Sequence, residues 1–92
     1  MGVTAMAEDR STIATAFGVV LRELRRRAGL SQEQLAVRCE FDRTYPSLLE
    51  RGLRTPTLGV IFRLADALQL SPSALVGKAH KETMQRQGKE GT

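Results

Sequence analysis

Tryptophan is absent from this 92-residue sequence, and the remaining aromatics are one tyrosine and three phenylalanines. A β-sandwich or barrel draws on aromatic and β-branched side chains to fill its pleated surfaces, so this scarcity points to a helical protein. There is one cysteine, Cys39, which cannot close an internal disulfide or build a structural zinc site. There is one histidine, His80, in a polar stretch, so no Cys-His pairing and no HExxH is available. No P-loop and no GxGxxG after a strand is present either. Catalysis, metal binding and a cofactor are therefore not expected. No run approaches the roughly 18 apolar residues of a membrane span, and MGVTAMAEDR lacks the basic-then-apolar order of a signal peptide. A cytoplasmic protein with no membrane partner is expected.

What the chain does have is positive charge and helical rhythm. Fourteen Lys and Arg stand against ten Asp and Glu, a formal charge of +4, which favours a polyanionic partner. The length suits one small domain. Residues 1–11 and 78–92 are polar with few apolar anchors and are expected to be flexible tails around a folded segment at 12–77.

Within that segment, Ile13, Phe17, Val20, Leu21, Leu24 and Ala28 follow the i, i+3, i+4, i+7 spacing of a first helix that Gly29 stops. Ser31 and Gln34 have the spacing of a capping box for a short second helix carrying Leu35, Ala36 and Cys39 inward. A third helix ends near Arg51 with Gly52 beyond it. Its start is ambiguous: Asp42 can cap it, or the cap slides to Thr44, which puts Pro46 at a position that needs no N–H. Thr57 caps a fourth helix whose Leu58, Ile61, Phe62, Ala65, Leu68 and Leu70 are expected to face the core. Pro72 opens a short fifth helix that Gly77 closes. The expectation is an all-α domain of five helices.

On the third helix, Thr44, Ser47, Leu48 and Arg51 share one side with Arg43 beside them, while Pro46, Leu49 and Leu53 point the other way. The outward set offers a guanidinium for guanine edges or phosphates, hydroxyls, and methyl groups that can touch thymine. Two helices joined by a tight link, the second bearing such a face, describe a helix-turn-helix whose recognition helix enters the major groove of double-stranded DNA.

The stretch LRELRRRAGLSQEQLAVRCEFDRTYPSLLERGLRTPTL, above all AGLSQEQLA, DRTY and LLERG, resembles the Xre/Cro-type helix-turn-helix family of phage repressors and bacterial regulators. It is also similar to the controller proteins of restriction-modification systems. The resemblance spans about residues 13–76 and implies a lambda-repressor-like domain in a bacterial or phage protein. It implies that Gln32 contacts a phosphate, that Arg43, Thr44, Tyr45 and Ser47 reach base edges or flanking phosphates, and that Arg51, Arg54 and Thr55 clamp the backbone. It further implies an ion pair between Arg25 and Glu50. Two positions depart from the family pattern. Glu40 stands where glycine is usual in a left-handed turn, so a reshaped turn is expected, and Pro46 stands where an aliphatic residue is usual.

One small recognition helix reads few base pairs, so a homodimer on a palindromic operator is expected, with half-sites about 34 Å apart. Leu70, Leu75 and Val76 are candidates for the dimer surface and could equally be needed to close the core. No small-molecule ligand is expected. The competing readings are a DNA-binding antitoxin, and a protein-binding module that has kept the fold.

Overall fold

The computed structural model describes the backbone of residues 2–90 and the side chains of residues 12–88. Its elements are α1 (Gly2–Arg27), α2 (Gln32–Cys39), α3 (Tyr45–Glu50), α4 (Leu58–Ala67) and α5 (Pro72–Glu90), with no strand among the described residues. The long helices α1 and α5 pack on each other, α3 lies against α1 and α2, and α4 joins α2 to α5. Each helix contributes one fully buried leucine to the centre: Leu21, Leu35, Leu49, Leu64 and Leu75, with Pro46 beside them. Phe17, Val20, Leu30, Cys39, Ala65 and Ala79 complete that core.

The expected starts of α2, α4 and α5 hold. The Ser31 hydroxyl accepts from the Gln34 N–H at 3.0 Å, and the Gln34 side chain accepts from the Ser31 N–H at 2.8 Å. Thr57 accepts from the Val60 N–H at 3.1 Å, and Ser71 from the Ala74 N–H at 3.0 Å.

The helix ends share one device. After α1, the Leu30 N–H reaches Arg25 O and the Gly29 N–H reaches Arg26 O. The same paired closure recurs at Phe41 and Glu40, at Leu53 and Gly52, and at Leu70 and Gln69. This is the Schellman arrangement, in which a left-handed residue lets its own amide and the next one satisfy orphan carbonyls. The left-handed positions are Gly29 (φ 75°), Glu40 (φ 58°), Gly52 (φ 74°) and Gln69 (φ 61°). The turn at Glu40 is thus not reshaped for want of glycine. Glu40 adopts the left-handed conformation itself, at a cost of roughly 1 kcal/mol, because both amide bonds and the inward placement of Phe41 depend on it.

Several expectations are corrected. The first helix begins at Gly2 rather than near residue 12; the side chains of 1–11 lie outside the described residues, as do the placements of residues 1, 91 and 92. Gly77, expected to close α5 and open a tail, lies inside a helix that continues to Glu90. The extension is held because Ala79 and Thr83 carry on the i, i+4 line of Leu75 and are buried. Small side chains at those positions gave little apolar signal. Ile13 and Ala28 are exposed rather than core-facing, Leu53 is 51% exposed, and Leu58 (70%) and Phe62 (55%) project from the first turns of α4. The fully buried pair of α4 is Leu64 and Ala65, with the expected Ile61, Leu68 and Leu70 packed against the core beside them. Among the described residues, no helix is long and apolar enough to cross a membrane.

Candidate nucleic-acid interface

The third helix is only six residues long, too short to hold its own orientation, and it is fixed from behind by Glu50. The Glu50 carboxylate accepts from Arg25 Nε at 2.6 Å, from Arg25 Nη2 at 3.1 Å and from Gln32 Nε2 at 3.0 Å. Arg25 Nη1 also donates to Leu30 O at 2.8 Å. The Arg25–Glu50 pair therefore joins α1, the entry to α2 and the end of α3. Arg25 is buried, and its hydrogen bonds to Glu50 raise its pKa against the opposing cost of burial. Gly18 brings the same two helices together: a Cβ there would stand 2.5 Å from Leu49 O and Glu50 O, so α1 lies directly on the end of α3.

In front, α3 starts late. Thr44 is the residue before the first helical turn and caps nothing with its side chain, and Pro46 is the second helical position. Its missing N–H deprives no helical bond there, and its ring is fully buried. Asp42 serves a different end from capping the helix. Its Oδ1 accepts from the Thr44 N–H at 2.9 Å and from the Thr44 hydroxyl at 2.6 Å, closing an Asx turn that presents Arg43 and Thr44. The Thr44 hydroxyl bond, then its amide, hold the Asp42 carboxyl below its ordinary pKa, against desolvation and with a lesser attraction from Arg43.

Arg43 and Thr44 are exposed, as are Arg51, Arg54 and Thr55. Arg43 lies 3.8 Å from Glu33 in a wide, solvated pair, and Arg54 bonds the Leu53 carbonyl, so both guanidiniums keep free donors. Ser47 and Leu48 are half-buried at the outer side of α3. Tyr45 is half-buried with its ring edge-on to Phe41, centroids 5.1 Å apart; the ring packs on the core. Gln32 is half-buried and bonded to Glu50. Of the dimer candidates, Leu70 is half-buried and Val76 exposed, whereas Leu75 is wholly inside the core. Leu75 has no surface to offer a partner, because the long α5 needs that side chain to seat itself. Cys39 is buried, its Sγ 3.7 Å from Arg63 O, and burial pushes its thiol pKa up. Among the described residues no cluster of His, Cys, Asp and Glu could hold a metal.

Sequence reasoning missed the anchoring role of Asp42 toward Thr44, for which the D-x-T spacing was the available signal. It also missed the Gln32–Glu50 bond, which has no signature in sequence.

The family model described as a helix-turn-helix domain matches residues 16–76. The chain belongs to the helix-turn-helix family. This helix-turn-helix protein is 47% identical over 53 residues to an uncharacterised HTH-type transcriptional regulator, y4dJ, of Sinorhizobium fredii, covering 58% of this chain and 69% of that one. It is similar in structure to the restriction-modification controller protein C.AhdI from Aeromonas hydrophila, with TM-score 0.65 and 47% identity over 67% of this chain and 94% of that one. It is similar also to the controller protein C.Esp1396I, solved as a tetramer in complex with its natural 35 base-pair operator (TM-score 0.70, 28% identity, 78% of this chain and 95% of that chain). The kinship to regulators and controller proteins expected from AGLSQEQLA, DRTY and LLERG is thereby met.

Proposed function

We propose that the protein is a sequence-specific transcriptional regulator that binds double-stranded DNA as a homodimer on a palindromic operator, with α3 in the major groove. The observation that carries this reading is the Asx turn that holds Arg43 and Thr44 exposed, ahead of an α3 fixed from behind by Arg25, Glu50 and Gln32. A preformed presentation of this kind lowers the ordering cost on binding. The relative whose complex with its operator is solved has the same fold.

Arg43, Thr44 and Ser47 are assigned to base edges, and Tyr45 to the base-facing side through its rim while its ring stays packed on Phe41. Gln32, Arg51, Arg54 and Thr55 are assigned to phosphates. In this scheme the Gln32 amide keeps one hydrogen bond to Glu50 and offers its second N–H to DNA. For dimerisation, Leu70 and Val76 remain from the expected set, and the exposed pair Leu58 and Phe62 joins them as apolar surface. The protein is placed in a bacterial cytoplasm, on the nucleoid when bound, with no small-molecule ligand.

Selection of bound sequences from a random duplex pool tests the reading. The expected winner is palindromic and binds at least about a thousandfold better than scrambled duplex at moderate salt. Uniform weak binding that disappears as salt rises would leave only phosphate attraction and overturn it.

A further inference from the structure

The face of α1 beside the end of α3 carries charge that no acid in the described structure answers. Thr15, Gly18, Arg22 and Arg25 lie on one helical stripe, and three of the four are pinned to the α3 end. A Cβ on Gly52 would meet Thr15 at 3.1 Å, Gly18 abuts the carbonyls of Leu49 and Glu50, and Arg25 bonds Glu50. Arg22, the fourth, therefore stands next to the junction of α3 with the following loop, and Arg26 extends the row by one turn. Both line a groove with Val19, Glu23, Arg27 and Glu50.

The acids of that groove are already engaged. Glu50 is taken by Arg25 and Gln32, and Glu23 lies 3.5 Å from Arg27. Arg22 and Arg26 are exposed and have no hydrogen bond or ion pair among the described residues. Like charges four apart on a helix repel each other, so an anion from outside would relieve this arrangement. Arg51, exposed, lies between Glu50 and Gly52, the residues whose backbone touches Gly18 and Thr15. Arg26 and Arg22 thus line a groove that ends at Glu50, and Arg51 is the next residue of the chain.

We infer that Arg22 and Arg26 hold the sugar-phosphate backbone beyond the segment read by α3 and lengthen the DNA footprint of each protomer. The inference rests on the DNA-binding reading. An extended duplex is the ligand that fits, since the row continues a phosphate-facing edge rather than enclosing a pocket for a single anion.

The experiment uses the full chain, the duplex won by selection, and the same duplex lengthened by about ten base pairs, one helical turn, on each side. Wild type, R22Q/R26Q and the charge-keeping R22K/R26K are titrated across a salt series, with circular dichroism confirming that all three are folded. On the long duplex, R22Q/R26Q is expected to lower the slope of log K against log salt by about two per protomer, one for each lost phosphate contact. It should bind long and short duplexes alike, keep the base preference of wild type, and be rescued by R22K/R26K. A wild-type slope in R22Q/R26Q on the long duplex overturns the inference while leaving the DNA-binding reading standing. Failure of wild type to bind either duplex brings down both. Loss of base preference in R22Q/R26Q also overturns it, since that outcome places these arginines in the readout.

Discussion

Arg43 is exposed and Glu50 is paired with the buried Arg25, so their substitutions should separate cleanly. Arg43→Ala removes an exposed guanidinium from the Asx turn and leaves the packing intact. The expected result is an operator affinity lower by about 1–3 kcal/mol, with relaxed preference at one base pair, read by competition against single-base operator variants. A uniform loss across all sequences would reassign Arg43 to a phosphate. Glu50→Gln acts on folding instead, because it strands the buried Arg25 guanidinium; breaking a buried pair in this way costs about 3–5 kcal/mol, visible as a lower urea midpoint. Asp42 adds an acid-sensitive element. Its carboxyl is held below the ordinary carboxylate value by Thr44 and Arg43. Its contribution is therefore present above about pH 4, where the unfolded carboxyl is ionised, and is lost as pH falls through the lowered native value. Asp42→Asn should flatten the acid limb of the thermal stability profile, and an unchanged limb would show that other carboxylates set it.

At the scale of the element, what could be read from sequence was the chemistry of beginnings and ends. Ser31-x-x-Gln34, Thr57, Ser71-Pro72, Gly29 and Gly52 all announce themselves by residue type. Glu40 and Gln69 do not, because nothing in a glutamate or a glutamine marks a left-handed conformation; only the apolar residue that follows each, Phe41 and Leu70, repeats the pattern of Gly29-Leu30 and Gly52-Leu53. The long reach of α5 was hidden for a related reason: alanine and threonine bury themselves in a close helix contact without registering as a hydrophobic stripe. Leu58 and Phe62 were misassigned because periodicity identifies an apolar face without saying whether this chain covers it. The outward side of α3 was legible from helix geometry, but the Asx turn that presents Arg43 and Thr44 depends on a side-chain hydrogen bond that spacing alone does not select. A prediction follows from the two non-glycine turns. Glu40→Gly and Gln69→Gly should each stabilise the fold by about 0.5–1 kcal/mol, the relief of left-handed strain offset by glycine's greater freedom when unfolded. Their effects should add, since they close different helices, and a destabilised double variant in urea unfolding would refute the strain argument.

Across the whole molecule, α1 and α5 form the frame on which the shorter helices are mounted. Ending the chain after Lys78 removes Ala79 and Thr83 from that contact and uncovers part of α1. The shortened chain should melt several degrees lower, on the scale of about 4–8 °C per kcal/mol for a domain of this size; an unchanged melting temperature would show that the extension contributes nothing. The five leucines that meet at the centre have a wider implication. Each helix sends one to the same place, so withdrawing any helix opens the core shared by the other four. No helix can therefore be taken away with the packing of the remainder intact. Urea unfolding is therefore expected as a single step, in which α3 and the α1–α5 frame are lost together.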